Sequence, residues 1–176
     1  MRFSELPLPG AYLIEVEAHS DERGFFARTF CRSEYTAQGL NAEVVQRSIS
    51  FNEHVGTLRG MHYQSAPRAE AKTVRCLRGA IHDVVVDLRP QSPTYCRWFG
   101  TDLSADNHQA LYVPPGLAHG FVTLEANSEV DYQMSEEHAP DFARGVRWDD
   151  PTFGIRWPVV PTVISARDRA YPDFIP

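Results

Sequence analysis

Glu129-Val130-Asp131-Tyr132-Gln133-Met134 alternates polar and apolar side chains without a break. A period of two sends every second side chain to the same face, so this stretch reads as a β-strand wetted on one side and packed on the other. Upstream of it, His82-Asp83-Val84-Val85-Val86-Asp87-Leu88 is a β-branched run with polar interruptions, set between Arg78-Gly79 and Pro90-Gln91-Ser92-Pro93. Ala71–Leu77 and Ala110–Val113 read as strands in the same way. Turn signals separate these runs: Pro114-Pro115-Gly116 and Ala126-Asn127-Ser128 join those already quoted. Short strands spaced by such turns predict a mainly β fold, a sandwich or barrel of the jelly-roll kind, with a few short helices. The best helix candidate runs from Ser33, as cap, to Gly39, as stop. From Trp157 onward, Pro158, Pro161, Pro172 and Pro176 mark a tail laid over the body, so residues 1–176 are expected to form one domain.

Composition narrows the function classes. Hydrophobic residues make up 43% and charged residues 23% of the 176, which is ordinary for a globular chain. A net charge of −6 gives no sign of nucleic-acid binding, and any anionic ligand must be met by a local basic cluster. No run approaches the ~18 apolar residues of a membrane span. The first residues, MRFSELPLPGAYLIEVEA, carry acidic and proline interruptions where a signal peptide needs apolar continuity. The expectation is a cytoplasmic protein with no membrane contact. Cys31, Cys76 and Cys96 are too few and scattered for a disulfide framework.

Four segments carry chemistry. Gly56-Thr57-Leu58-Arg59-Gly60-Met61-His62-Tyr63-Gln64 sets a histidine on a strand close to an arginine, a base beside an anion site. Alone, His62 is better explained as a hydrogen-bonded core histidine. Pro114-Pro115-Gly116-Leu117-Ala118-His119 has the spacing Pro-x-Gly-x-x-His, which resembles the second motif of the cupin superfamily. Metal-binding cupins add His-x-His and a glutamate, but Gln64 stands two residues after His62. His62 and His119 fall short of the three or four ligands that zinc or iron takes, so no metal is expected. Tyr132 sits at a strand centre, where packing is the usual role. Lys72 shares a face with Val74, so an inward ammonium there needs an anion or a carbonyl. In Ile164-Ser165-Ala166-Arg167-Asp168, the acid is either a turn former or a group that folds back to orient His62.

Taken in order, these segments resemble the dTDP-4-dehydrorhamnose 3,5-epimerases over nearly the whole chain. Further matching stretches are Asp21-Glu22-Arg23-Gly24-Phe25-Phe26, Lys72-Thr73-Val74-Arg75, Val86-Asp87-Leu88-Arg89-Pro90-Gln91-Ser92-Pro93-Thr94 and Trp148-Asp149-Asp150-Pro151. The resemblance implies a cupin jelly roll, a homodimer and a nucleotide-diphosphate sugar bound inside the barrel. It implies His62 as base, paired with Asp168, Tyr132 as acid, and Lys72 against the enolate oxygen. It implies substrate contacts at Arg23, Phe26, Arg28, Gln46, Arg59, His119 and Arg167, and chemistry that needs no cofactor. Two places depart from the family pattern. Arg28 stands where a glutamate is usual, and Gln46-Arg47-Ser48 replaces Gln-Asp-Asn. Both belong to the nucleotide end of the site, so inversion at a single carbon, or action on a CDP-linked ketosugar, stays open beside the double inversion of dTDP-4-dehydro-6-deoxy-D-glucose. A non-catalytic sugar-binding cupin is the alternative from another class.

Overall fold

The structure, a computed structural model, describes residues 1–176. The elements in chain order are β1 (Arg2–Glu5), β2 (Tyr12–Glu15), β3 (Ala18–Asp21), β4 (Gly24–Ala27), α1 (Arg32–Ala37), β5 (Gln46–Asn52), β6 (Thr57–Gln64), β7 (Lys72–Arg78), β8 (Ala80–Asp87), β9 (Trp98–Ser104), β10 (Ala110–Val113), β11 (Leu117–Thr123), β12 (Ser128–Met134), β13 (Ala143–Gly145), β14 (Val163–Ile164) and α2 (Ala166–Arg169). Two sheets face each other, in the orders β1-β2-β10-β7-β12-β5 and β13-β6-β11-β8-β9, as the cupin jelly roll requires. β14 runs parallel to the start of β6, on residues 57 and 58, while β13 pairs antiparallel with its end, on residues 62–64.

Side-chain alternation sorts each strand between layers. Val74, Leu111, Val113 and Val130 from the first sheet meet Ile81, Val85, Leu103 and Phe121 from the second in the central core. Val84 and Val86, on the other face of β8, pack with Met61, Val146 and Phe153. Trp157 and Phe174 of the proline-rich tail close over that layer. A strand buried on both sides has no reason to alternate, which is why 82–88 reads as a run of valines while 129–134 alternates. On β12 the outward Asp131 is covered by Arg47 of β5, at 3.0 Å.

The helix differs from its expected start. It opens at Arg32 with Cys31 as cap, because the Tyr35 N–H already bonds to the Cys31 carbonyl, at 3.0 Å. The Ser33 hydroxyl lies against Cys31 Sγ instead of capping. Gly39 does end the helix. At φ +72° its N–H reaches the Thr36 carbonyl and the Leu40 N–H reaches the Tyr35 carbonyl, each at 3.0 Å, a Schellman closure.

A second glycine requirement positions the site. A Cβ on Gly60, at φ +145°, would stand 2.5 Å from the Gly120 Cα on the neighbouring strand. β6 and β11 pass this closely only because both residues are glycine. The hairpin β3–β4 pairs with no other strand of the chain and leaves Phe25 and Phe26 in solvent.

Candidate active site

Between the sheets lies a cavity of about 710 Å³, lined by side chains from β5, β6, β7, β11 and β12 and rimmed by β13, β14 and α2. That is the size of a pocket for a sizeable small molecule. It brings together His62, Asp168, Tyr132, Lys72, Arg59, His119, Gln46 and Arg167.

His62 hangs from β6 with Nε2 2.7 Å from Asp168 Oδ1. Asp168 arrives from the opposite end of the chain. β14 docks on β6, Ser165 caps α2 by accepting the Asp168 N–H at 3.0 Å, and the carboxylate is then buried against β6. Its second oxygen accepts the Gly60 N–H at 3.3 Å. Burial alone raises the Asp168 carboxyl. The His62 bond and its charge, with the Gly60 N–H and Ser165, outweigh burial and hold it below the ordinary carboxylate range. An ionised Asp168 accepts a hydrogen bond from Nε2–H, which leaves Nδ1 as the basic nitrogen of a neutral ring.

A second pair lies deeper. His119 Nε2 is 2.6 Å from Asp83 Oδ1, both side chains buried, and Asp83 Oδ2 has no partner. The His119 ring stands edge-on to Tyr132, centroids 6.3 Å apart. Tyr132 Oη is 3.2 Å from Ser50 Oγ. Burial pushes the Tyr132 phenol well above its usual range. The Ser50 bond opposes that shift, Asp83 adds to it, and Arg59 opposes it. Tyr132 therefore holds its proton at neutral pH.

Lys72 does turn inward, and it has both partners its position demands: Glu70 Oε1 at 2.9 Å and the His62 carbonyl at 3.5 Å. Arg59 is aimed by Asn52 Oδ1, at 2.8 Å, and Arg144 by the carbonyls of Asp141 and Ala143. Arg167 lies over the Tyr171 ring, 6.0 Å from its centroid. None of these three guanidinium groups on the cavity wall has a carboxylate partner, and together they form the basic cluster that an anionic ligand needs in an acidic protein. Gln46 spends its side-chain oxygen on the His138 N–H, at 2.7 Å, tying the mouth together. His62 and His119 are each engaged by an aspartate, and no group of three His, Cys, Asp or Glu side chains is placed to hold a metal ion.

Three expected contacts lie elsewhere. Arg23, Phe26 and Arg28 stand on or beside the β3–β4 hairpin, outside this chain's cavity. Arg23 is bonded to Asp21, Arg28 to Glu34 at 2.7 Å, and Phe26 is 77% exposed. The hairpin pairs only with itself and rests against the body through Phe25, whose ring lies 4.9 Å from that of His108, and none of the three residues lines this chain's own site. Conversely, sequence reading passed over Asp83, Ser50, Glu70 and Arg144. Only Asp83 left a signal, a charged residue inside a valine run, which is costly unless paired.

The sequence matches the family described as dTDP-4-dehydrorhamnose 3,5-epimerase over residues 5–175. The dTDP-4-dehydrorhamnose 3,5-epimerase of Sinorhizobium fredii is 39% identical, over 98% of this chain and 89% of that protein. Among solved structures, the Bacillus anthracis dTDP-4-dehydrorhamnose 3,5-epimerase with TDP and PPi bound superposes with a TM-score of 0.94 at 39% identity, covering 98% of this chain and 99% of that one. ChmJ of Streptomyces bikiniensis, a 3'-monoepimerase in complex with dTDP-quinovose, superposes at 0.87 with 36% identity, over 96% and 85%.

Proposed function

This chain belongs to the dTDP-4-dehydrorhamnose 3,5-epimerase family, and on that basis we propose that it inverts C3 and C5 of dTDP-4-dehydro-6-deoxy-D-glucose by proton transfer through an enolate. The observation that carries the reading is the Asp168–His62 pair on one sheet and the protonated Tyr132 on the other, lining one cavity. His62 Nδ1 removes the proton beside the ketone. Asp168 stabilises the imidazolium that results. The Lys72 ammonium sits in the same cavity, where a fixed positive charge stabilises the oxygen that becomes negative. Tyr132, on the opposite sheet, returns a proton to the other face of the carbon, and inversion needs that separation of base and acid. The net change is stereochemical, so no electrons are exchanged and no redox cofactor is called for. Arg59, Arg144 and Arg167 meet the diphosphate, for which planar guanidinium forks are suited.

The hairpin supports a homodimer in this reading. Phe25, Phe26, Ile49 and Phe51 are large apolar side chains left exposed, an arrangement that marks an interaction surface. A second copy seated there would receive Arg23, Phe26 and Arg28 at the edge of its own cavity.

Incubation with dTDP-4-dehydro-6-deoxy-D-glucose in D2O, read by mass spectrometry and NMR, tests the function. Deuterium at both C3 and C5 with a dTDP-4-dehydro-L-rhamnose product is the expected result. Deuterium at one carbon establishes the single inversion, the reading supported by the likeness to ChmJ and by Arg28. No exchange refutes the thymidine-linked substrate and sends the assay to the CDP-linked ketosugar.

A further inference from the structure

An ion pair inside the cavity includes a carboxylate, Glu70, that has no part in the proton transfers above. Lys72 Nζ is 2.9 Å from Glu70 Oε1, with the two side chains only 13% and 9% exposed, and both residues line the cavity. The ammonium's one other contact is the weak bond to the His62 carbonyl, at 3.5 Å. A carboxylate on the wall of a site for a diphosphate repels the ligand, and taking it out of water carries a further cost. Its position therefore calls for an account in terms of Lys72.

Resting on the epimerase reading, we propose that Glu70 is a positioning residue for the reaction. It holds the Lys72 ammonium beside His62 and shares it with the ketone oxygen as that oxygen turns into an enolate. Two effects favour such a tether. Lysine is a point charge on a flexible four-carbon stem with many rotamers open to it. In a cavity that also takes a diphosphate, an untethered ammonium is drawn to the phosphates and away from the reacting carbon. Glu70, two residues earlier in the segment that leads into β7 and 2.9 Å away, fixes it where charge develops. Second, a compensated ammonium adds little to binding of the neutral ketone. Its attraction grows only as the oxygen becomes an anion, so the pair favours the transition state over the ground state.

The test is a double-mutant cycle of Glu70→Gln and Lys72→Met, read as kcat and KM for deuterium incorporation, with a thermal melt of each variant. Glu70→Gln is expected to lower kcat about 10- to 100-fold without raising KM. In the Lys72→Met background it is expected to change kcat by less than about twofold, since groups that act as a unit are not additive. Glu70→Asp, which keeps the charge one methylene short, should retain more of kcat than Glu70→Gln. Wild-type kcat in Glu70→Gln, an equal loss in both backgrounds, or a rise in KM alone would each overturn the proposal. If Lys72→Met matches the wild type, the premise fails with it. Absence of exchange in the wild type itself refutes the epimerase reading, and the proposal falls with that reading rather than on its own.

Discussion

Asp168→Asn isolates the contribution of one buried negative charge to proton removal. Asparagine keeps the shape and can still accept the Gly60 N–H, but its amide donates toward His62 Nε2 where the carboxylate accepted. The ring then carries its proton on Nδ1, the nitrogen that must be free. The imidazolium formed in the reaction also loses its counter-charge. Opposite charges about 4 Å apart attract by about 4 kcal/mol at an effective dielectric of 20. The His62 side chain is 39% exposed, so solvent screens part of this, and about 2–3 kcal/mol is a fair expectation. That corresponds to a fall in kcat of about 30- to 150-fold. The assay is deuterium incorporation under saturating substrate, with a melting curve to establish that α2 still docks. A kcat within threefold of the wild type, with the fold intact, would refute the dyad.

Tyr132→Phe removes the acid and leaves the base: exchange at the substrate carbon should persist in part while inversion slows by about 10²- to 10⁴-fold, and inversion at the wild-type rate would place the acid elsewhere. Asp87, buried and bonded to Arg89, Ser92 and Thr94, is resisted by burial but held by these partners at about 2. Against an unfolded value near 3.9, that is worth about 2–3 kcal/mol at neutral pH. Because the folded value is the lower one, this stability is complete above pH ~4 and is lost as pH falls toward 2. Asp87→Asn should accordingly melt roughly 5–10 °C lower at pH 7, with the gap closing in acid; equal melting temperatures at pH 7 would rule the network out as a stabiliser. Gly60→Ala forces a Cβ to within 2.5 Å of backbone that cannot swing aside, so a loss of more than about 3 kcal/mol is expected in urea unfolding, and a loss under 1 kcal/mol would contradict the close strand approach. Phe26→Asp should leave a monomer by sedimentation if the hairpin carries the dimer; an unchanged dimer would place the interface elsewhere.

Period and punctuation were enough for four of the strands, β7, β8, β10 and β12. Alternation at 129–134, the valine run at 82–88 and the turns around them recover β12 and β8 to within two residues, because which side chains face the core is written locally. The helix end at Gly39 was legible for the same reason, its positive φ being a property of one residue. Its start was not, since Ser33 and Cys31 are separated only by which carbonyl the first turn uses. Among site residues, the likeness to a known family selected His62, Tyr132, Lys72 and Asp168. The residues themselves left each of them with a bland explanation.

What only the folded chain decided is which of these groups meet. Ser165 and Asp168 announce a capped turn in four letters, but nothing near them says that the turn docks on β6, 106 residues away in sequence, and closes a 2.7 Å bond to His62. Asp83 and Glu70 are visible as charges in the chain. That one is inside and paired with His119, and the other inside and paired with Lys72, depends on register between strands and on the space left when the sheets close. Arg23, Phe26 and Arg28 show the limit from the other side, since their motif was readable while none of the three lines this chain's own cavity. The layers are written in the order of residues, because burial of alternate side chains is a local, periodic demand. Tertiary structure decided the site, because pairing of charges in a cavity depends on distances between segments that the order of residues does not contain.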